Sequence, residues 1–427
     1  MSPAASLPDE LLVHVFKHAY DQAPLYGPPF AHIVSQVSHK WRQLATSTSS
    51  LWSIVVLNHS LKPEFLALIL ARNQSAPLEL YIDLRPPKLS LSRIVIKERV
   101  YAHLPALLVL SARWGALSIL TDRDDDTVTL LSAFMPLHTP LLIYFEVHVE
   151  RHTRSEFPVA PAVRLFTRGA ERLRVVDLDG LPLRAAWPPL GAVRTLALDL
   201  SCTSMTCTDF VCALEEMPRL QSLTINNYNF DLPPPPAAAG APDARVRFHS
   251  ATLQTLSVVS LRSDEDFIAR FWSIVSFPAL ETLSLTCHND EDIPVFAKYA
   301  RFPALRALKL NHTQDTTHMG DLAAKLPLLE RLSVHWCPPE AILHELLPAN
   351  PPSRPGIRGM GEASWPRLHT LSLSNFDGGV MTLLDAIVDY KKTTPWPLRK
   401  LRVAAVDLDQ LRGREFEVRG VTVEMIN

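Results

Sequence analysis

Phe277-Pro278-Ala279-Leu280-Glu281-Thr282-Leu283-Ser284-Leu285 returns 25 residues later as Phe302-Pro303-Ala304-Leu305-Arg306-Ala307-Leu308-Lys309-Leu310. The last two leucines of each copy stand two positions apart, so both point to one side of a short strand. The leucine three positions earlier fills the same core from the incoming coil. The proline two positions before that leucine has no N–H and restricts the residue ahead of it, so a preceding helix stops there. One such unit cannot bury its own apolar face, and stacking of copies stabilises the pattern.

Outward from this pair the pattern recurs. It stands at Met217-Pro218-Arg219-Leu220-x-x-Leu223-x-Ile225, at Leu326-Pro327-Leu328-Leu329-x-x-Leu332-x-Val334 and at Trp365-Pro366-Arg367-Leu368-x-x-Leu371-x-Leu373. Weaker copies begin at Leu142, Leu173, Val193, Leu253 and Leu398, and Trp114, Leu117 and Ile119 read as an early one. This is the L-x-x-L-x-L core of a leucine-rich repeat. Leu305 and Leu329 are 24 residues apart, but Leu329 and Leu368 are 39 apart, so the array is irregular. Cys337 matches the Asn or Cys that follows the strand in such repeats, whereas Tyr228 and His288 replace it elsewhere. Amphipathic stretches at Thr208–Glu216, Asp264–Ser276, Glu340–Leu347 and Val380–Tyr390 read as convex-side helices with apolar faces against the strands. Asp231–Arg247, with Pro233 to Pro236, and Pro348–Gly361 lack apolar side chains and read as mobile inserts between repeats. Glu415–Ile426 alternates as a closing strand. The fold expected is α/β, with parallel strands on the concave side and helices on the convex side.

The N-terminal stretch has a different period. Leu11, Leu12, Val15, Phe16 and Ala19 fall on one helical face, behind Pro8 at the expected first helical position and Asp9 and Glu10 in the first turn. Phe30, Ile33, Val34, Val37, Trp41, Leu44 and Ala45 continue at helical steps and predict two helices broken near Ser38. Leu51 and Trp52 close the unit. Leu7-Pro8-x-Glu10-Leu11-Leu12-x-x-Val15-Phe16, then Val37-Ser38-x-x-Trp41 with Leu44-Ala45, then Leu51-Trp52, resembles the F-box in this order. The F-box is the helical module that binds the Skp-type adaptor of a cullin–RING ubiquitin ligase. Two departures are a long loop from Gln22 to Pro29 and Ser38 where the family often has Cys. The whole chain resembles a fungal-type F-box protein with C-terminal leucine-rich repeats, organised as a module over 1–60 and a solenoid over 61–427 with inserts at 231–247 and 348–361.

Composition narrows the function classes. The chain has 427 residues, 47% hydrophobic and 20% charged, which suits a module plus a repeat array with a large core. Lys and Arg total 42 against 44 Asp and Glu, for a formal net charge of −2. That balance gives no electrostatic footprint for nucleic acid. Cys202, Cys207, Cys212, Cys287 and Cys337 contain no C-x-x-C and read as buried free thiols of a reducing compartment. No signal peptide and no uncharged apolar run of membrane-spanning length is present, so a soluble intracellular protein is expected, in cytoplasm or nucleus. No phosphate-binding, dinucleotide, metalloprotease or hydrolase motif occurs, and the His335-Trp336-Cys337 and Cys287-His288 pairs lack a third orienting group. No enzyme activity, metal or cofactor is expected. Asp122 to Asp126, with Arg123 among them, reads as a solvated acidic turn.

The resemblance implies a substrate-recognition subunit of an SCF-type E3 ubiquitin ligase. Its partners would be a Skp-type adaptor, through it a cullin–RING ligase, and an unknown protein substrate. The adaptor-binding residues it implies are Leu7, Pro8, Glu10, Leu11, Leu12, Val15, Phe16, Val37, Trp41, Leu44, Ala45 and Trp52. A non-ligase interaction scaffold on the same repeats is the alternative. For the substrate, strand alternation selects residues that face away from the inward leucines. These are Asn226 with Asn227, Lys309 and Asn311 with His312, and Arg331, Ser333 and His335 with Trp336, read together as one polar and aromatic patch.

Overall fold

The computed structural model describes residues 7–22, 29–86, 93–150, 163–199, 205–227, 230–231, 248–260, 267–286, 296–298, 301–312, 319–337, 339–347, 365–374, 378–404 and 420–426. The expected inserts at 231–247, apart from Asp231, and 348–361, residues 23–28 of the loop from Gln22 to Pro29, and Cys202, Cys287 and His288 lie outside the described residues. The chain divides into two compact units, Met1–Val193 and Arg194–Asn427.

The first unit opens with three helices. Helix α1 spans Asp9–Asp21, α2 Phe30–Val34 and α3 His39–Ser47. Pro8 stands one position earlier than expected: it is the N-cap of α1, and its carbonyl accepts the Leu12 N–H at 3.1 Å. Lys40 on α3 ties the start of α1, donating to the Leu7 carbonyl at 2.8 Å and pairing with Asp9 at 3.0 Å. Ser38 starts α3 by accepting the Trp41 N–H on its hydroxyl at 3.2 Å, so the break expected near Ser38 is a capped helix start. A 3₁₀ turn at Ser49–Trp52 then buries Leu51 and Trp52. The Trp52 indole N–H donates to the Ala45 carbonyl at 2.8 Å, and the Arg72 guanidinium lies 5.1 Å from its ring centroid.

Five parallel strands follow in this unit: Ile54–Leu57, Leu78–Asp83, Trp114–Thr121, Tyr144–Val149 and Val175–Asp179. The first of them already lies inside residues 1–60. In the second unit one run of strands pairs in parallel, each with the next: Thr195–Asp199, Ser222–Asn227, Thr255–Ser260, Thr282–Thr286, Ala307–Asn311, Arg331–His335, Thr370–Ser374, Lys400–Ala404 and Thr422–Ile426. Each strand of the array sits in register with the next, so Leu283 faces Leu308, then Leu332, then Leu371. These leucines and the leading Leu280, Leu305, Leu329 and Leu368 are fully buried. The shared proline gains a concrete role here. It is the second residue of a four-residue turn closed by the leading leucine's N–H, as in Leu280 to Phe277 and Leu305 to Phe302, both 3.2 Å. Proline's fixed φ prepares that position.

Three expectations change. The helix expected over Asp264–Ser276 ends at Ile274, because Val275–Ser276 is extended and pairs with Phe248–His249. Cys212 is exposed on the helix Cys207–Glu215, while Cys207 and Cys337 are buried. The acidic turn is ion-paired at Asp122 and Asp126, with Asp125 exposed between them. The Arg93 guanidinium grips both Asp122 oxygens at 2.7 and 2.5 Å, and Lys97 pairs with buried Asp126 at 2.5 Å.

The helix Gly378–Lys392 carries a feature that no sequence period announces. Lys391 is fully buried and donates to the carbonyls of Trp365 at 2.9 Å and Pro366 at 3.4 Å, clamping the turn that leads into the strand Thr370–Ser374. Burial pushes its ammonium pKa from the usual 10.5 down to about 8.

Candidate functional site

On the open face of the second unit's sheet, the residues between the buried leucines are mostly Ser and Thr. Thr224, Ser257, Ser284, Ser333 and Ser372 occupy one row across the strands. Lys309 interrupts that row between Ser284 and Ser333. An open cavity of about 280 Å³ lies there, lined by Thr286, Lys309, Asn311, His312, His335 and Trp336. The Asn311 amide donates to the Thr286 hydroxyl at 3.1 Å, and His335 Nδ1 and the Ser374 hydroxyl share a hydrogen bond at 3.0 Å. Burial, then the Lys309 charge, lowers the His335 pKa below its ordinary value, so the ring favours its neutral form.

His312 and Trp336 end equivalent strands of adjacent repeats, and both have φ of 57°. Left-handed backbone costs a non-glycine residue roughly 1–2 kcal/mol. The His312 N–H donates to the His335 carbonyl at 3.0 Å, which fastens the two turns together. The rings stack nearly parallel, 4° between planes and 6.0 Å between centroids, and Trp336 is 61% exposed.

The open face of the first unit's sheet is charged but self-satisfied. Asp83 and Glu150 pair with Arg85, Glu146 accepts from Ser118, and Asp179 binds His148. The Asp179 hydrogen bond is the main cause of a raised His148 pKa. No comparable pairing holds Lys309 or Arg331: among the described residues no carboxylate contacts either.

The helical module presents the opposite chemistry. Leu11, Val15, Ile33 and Val37 are 51%, 53%, 49% and 59% exposed, on α1 and on α2 with the turn after it. Leu11 and Val15 are one turn apart on α1, and Ile33 and Val37 are likewise four apart. Beneath them Leu12 and Phe16 are buried, and Phe16 meets Trp41 edge-on at 4.9 Å.

Residues 4–58 match the F-box-like family model. No curated relative matches the chain. Among solved structures, the crystal structure of a TLR13–ssRNA13 complex matches at 15% identity and a TM-score of 0.32. That match covers 68% of this chain and 38% of the other.

The F-box-like module sorts the residues that the sequence selected. Pro8, Glu10, Leu11, Val15 and Val37 are exposed, and Leu7, Trp41 and Leu44 are half-buried. Leu12, Phe16, Ala45 and Trp52 are core. The helical face expected to carry Leu11, Leu12, Val15, Phe16 and Ala19 together is therefore split between solvent and core. Ile33, exposed as well, belongs to the helical period but not to the adaptor-binding set that the resemblance implies, although its step of four from Val37 signals it.

In the second unit, Lys309, Asn311, His312, His335 and Trp336 gather around the cavity together with Thr286. Asn226 does not belong to this group. Two strands separate it from Lys309, and its amide donates to Asp199 at 3.3 Å. The side chain of Asn227 lies outside the described residues. Arg331 is exposed on the same face, opposite Ala307, with Ser333 half-buried beside it. The Cys337 thiol donates to the carbonyls of His335 at 3.1 Å and Leu310 at 3.8 Å, while the His335 ring bonds Ser374.

Proposed function

We propose that this chain is the substrate-recognition subunit of an SCF-type cullin–RING E3 ubiquitin ligase. The F-box-like module docks on a Skp-type adaptor, and the repeats over 61–427 hold a protein substrate. The single observation that carries this reading is the exposed apolar set Leu11, Val15, Ile33 and Val37 on a module matching the F-box-like family. Bare hydrocarbon on short helices is stabilised by a partner, and a module of roughly 50 residues gains little from its own core. Irregular repeat spacing supports the finer assignment to the fungal-type F-box and leucine-rich-repeat family. In this reading the chain performs no covalent chemistry, requires no cofactor, and works in the soluble intracellular space. Binding raises the effective concentration of a substrate lysine near the ubiquitin thioester carried by the recruited conjugating enzyme.

The test is affinity capture of the full chain from cell extract. Adaptor together with cullin is the expected outcome. Adaptor without cullin would favour a non-ligase interaction scaffold, and no adaptor at all would sink the F-box function.

A further inference from the structure

The cavity around Lys309 combines uncompensated charge, neutral hydrogen-bond donors and an exposed aromatic surface. None of its six lining residues is acidic. Lys400 and Arg402, on strand Lys400–Ala404, are neutralised in place: both hold Glu424, at 2.7 and 2.9 Å, and Arg306, just ahead of the strand Ala307–Asn311, holds Glu330 at 2.6 Å. Lys309 and Arg331 are exposed, on adjacent strands, and diagonal to each other in register. Diagonal neighbours on one sheet face lie within reach of a single extended chain. Around Lys309, Asn311 and neutral His335 present polar edges without adding negative charge.

We propose that this cavity binds an extended acidic peptide segment, with carboxylates against Lys309 and Arg331 and an apolar side chain against Trp336. The proposal deepens the substrate-receptor reading by assigning the substrate class. Two features choose carboxylates over one phosphate group. Phosphate sites converge several backbone N–H groups or an arginine fork on one point. Here the cations stand apart on separate strands, and the lining comes from strand residues and the turns after them. That arrangement matches two spaced single charges. Trp336 supports the choice of a peptide over a small anion. Its strained backbone holds a large ring in solvent beside the charges, and strain of this kind concentrates where a ligand is clamped.

The experiment uses the full chain and fluorescence anisotropy with three labelled peptides of equal length. One alternates Glu and Leu, one replaces Glu by Gln, and one carries a single phosphoserine in the Gln background. The Glu peptide is expected to bind about tenfold tighter than the Gln peptide, from two ion pairs of roughly 0.7 kcal/mol each. Lys309→Gln with Arg331→Gln should erase that difference. Trp336→Asn should weaken the Glu peptide several-fold while leaving Tm unchanged or higher, because Asn tolerates the left-handed backbone. Equal binding of the Glu and Gln peptides, or binding of the phosphoserine peptide alone, overturns the proposal. A lower Tm for Trp336→Asn would make Trp336 a packing residue and overturn its assigned contact. Adaptor capture, run on the same variants, separates the two readings: failed peptide binding with retained adaptor refutes only the substrate class.

Discussion

Leu11, Val15, Ile33 and Val37 leave bare hydrocarbon on the helical module, whereas Lys309 and Arg331 leave bare charge on a sheet face lined mostly with Ser and Thr. The two surfaces answer to different physics. Apolar burial gains roughly 25 cal/mol per Å² and is indifferent to moderate salt. Exposed charges are screened over about 10 Å at 0.1 M salt. One chain thus carries a contact suited to a constant partner and a contact suited to selecting among partners by charge.

The largest effect that tests this contrast is on the helical module. Leu11→Asp with Val15→Asp puts two charges into the apolar face without touching the core. Each truncated apolar anchor costs about 2 kcal/mol or more, so the pair should weaken adaptor capture by roughly a thousandfold. Tm should be unchanged. Phe16→Ala, by contrast, removes a fully buried ring and should lower stability by about 3–5 kcal/mol. If the exposed pair destabilised the fold and left capture intact, the assignment of face and core would be inverted.

Lys391 extends the contrast from exposed to buried charge. Its pKa of about 8, against the usual 10.5, means that the fold favours the neutral amine. The unfolded chain then holds more protons between those two values, so stability rises as pH rises through that window. The full change is about 3 kcal/mol, complete above pH 10.5 and absent below pH 8. Lys391→Met should lack this slope. Urea midpoints measured from pH 7.5 to 10.5 check it, and parallel profiles for the two proteins would show that Lys391 keeps an ordinary pKa.

The array was legible in the sequence wherever Pro-x-Leu led into Leu-x-Leu, because turn chemistry and strand period agree there. The strands Ile54–Leu57 and Leu78–Asp83 escaped notice. Val55, Leu57, Leu78, Leu80 and Ile82 alternate correctly, but no Pro-x-Leu turn precedes them, and Leu51-Trp52 drew the first strand into the helical reading. Which of Leu11, Leu12, Val15 and Phe16 face solvent was not legible either. A helical period marks an apolar stripe but not how much of it the domain itself covers. Lys391 stands in the last turn of its helix, where a cation complements the C-terminus, and nothing in the sequence places the Trp365 and Pro366 carbonyls around it. The cavity was legible in five of its six lining residues because strand alternation is strict. Asn226 failed for the same geometry, since two strands stand between its own and that of Lys309.

Salt separates the two surfaces next. Between about 50 and 500 mM NaCl, binding of the Glu–Leu peptide should weaken by up to roughly tenfold, while adaptor capture by the same protein should hold. Parallel loss in both assays would mean that the helical module also binds through charge, and the contrast between them would collapse.

The smallest expected effect is a pH dependence within the cavity. His335 faces Lys309 and Asn311 from one neighbouring strand and Ser374 from the other, and of these groups only Lys309 is charged. In the free protein, burial and Lys309 hold the ring's pKa below its usual 6.5. A bound carboxylate offsets the Lys309 charge and favours the imidazolium, so binding raises that pKa and takes up a proton. Affinity for the Glu–Leu peptide should therefore increase as pH falls from about 7 to 5, above the range where the peptide's own carboxylates protonate. The gain should be a few-fold at most, because one partly exposed ring is the source of it. His335→Gln keeps a polar side chain without the titration and should flatten the profile. A flat wild-type profile, or the same slope in His335→Gln, would remove His335 from the binding site and leave Lys309 and Arg331 as its only electrostatic determinants.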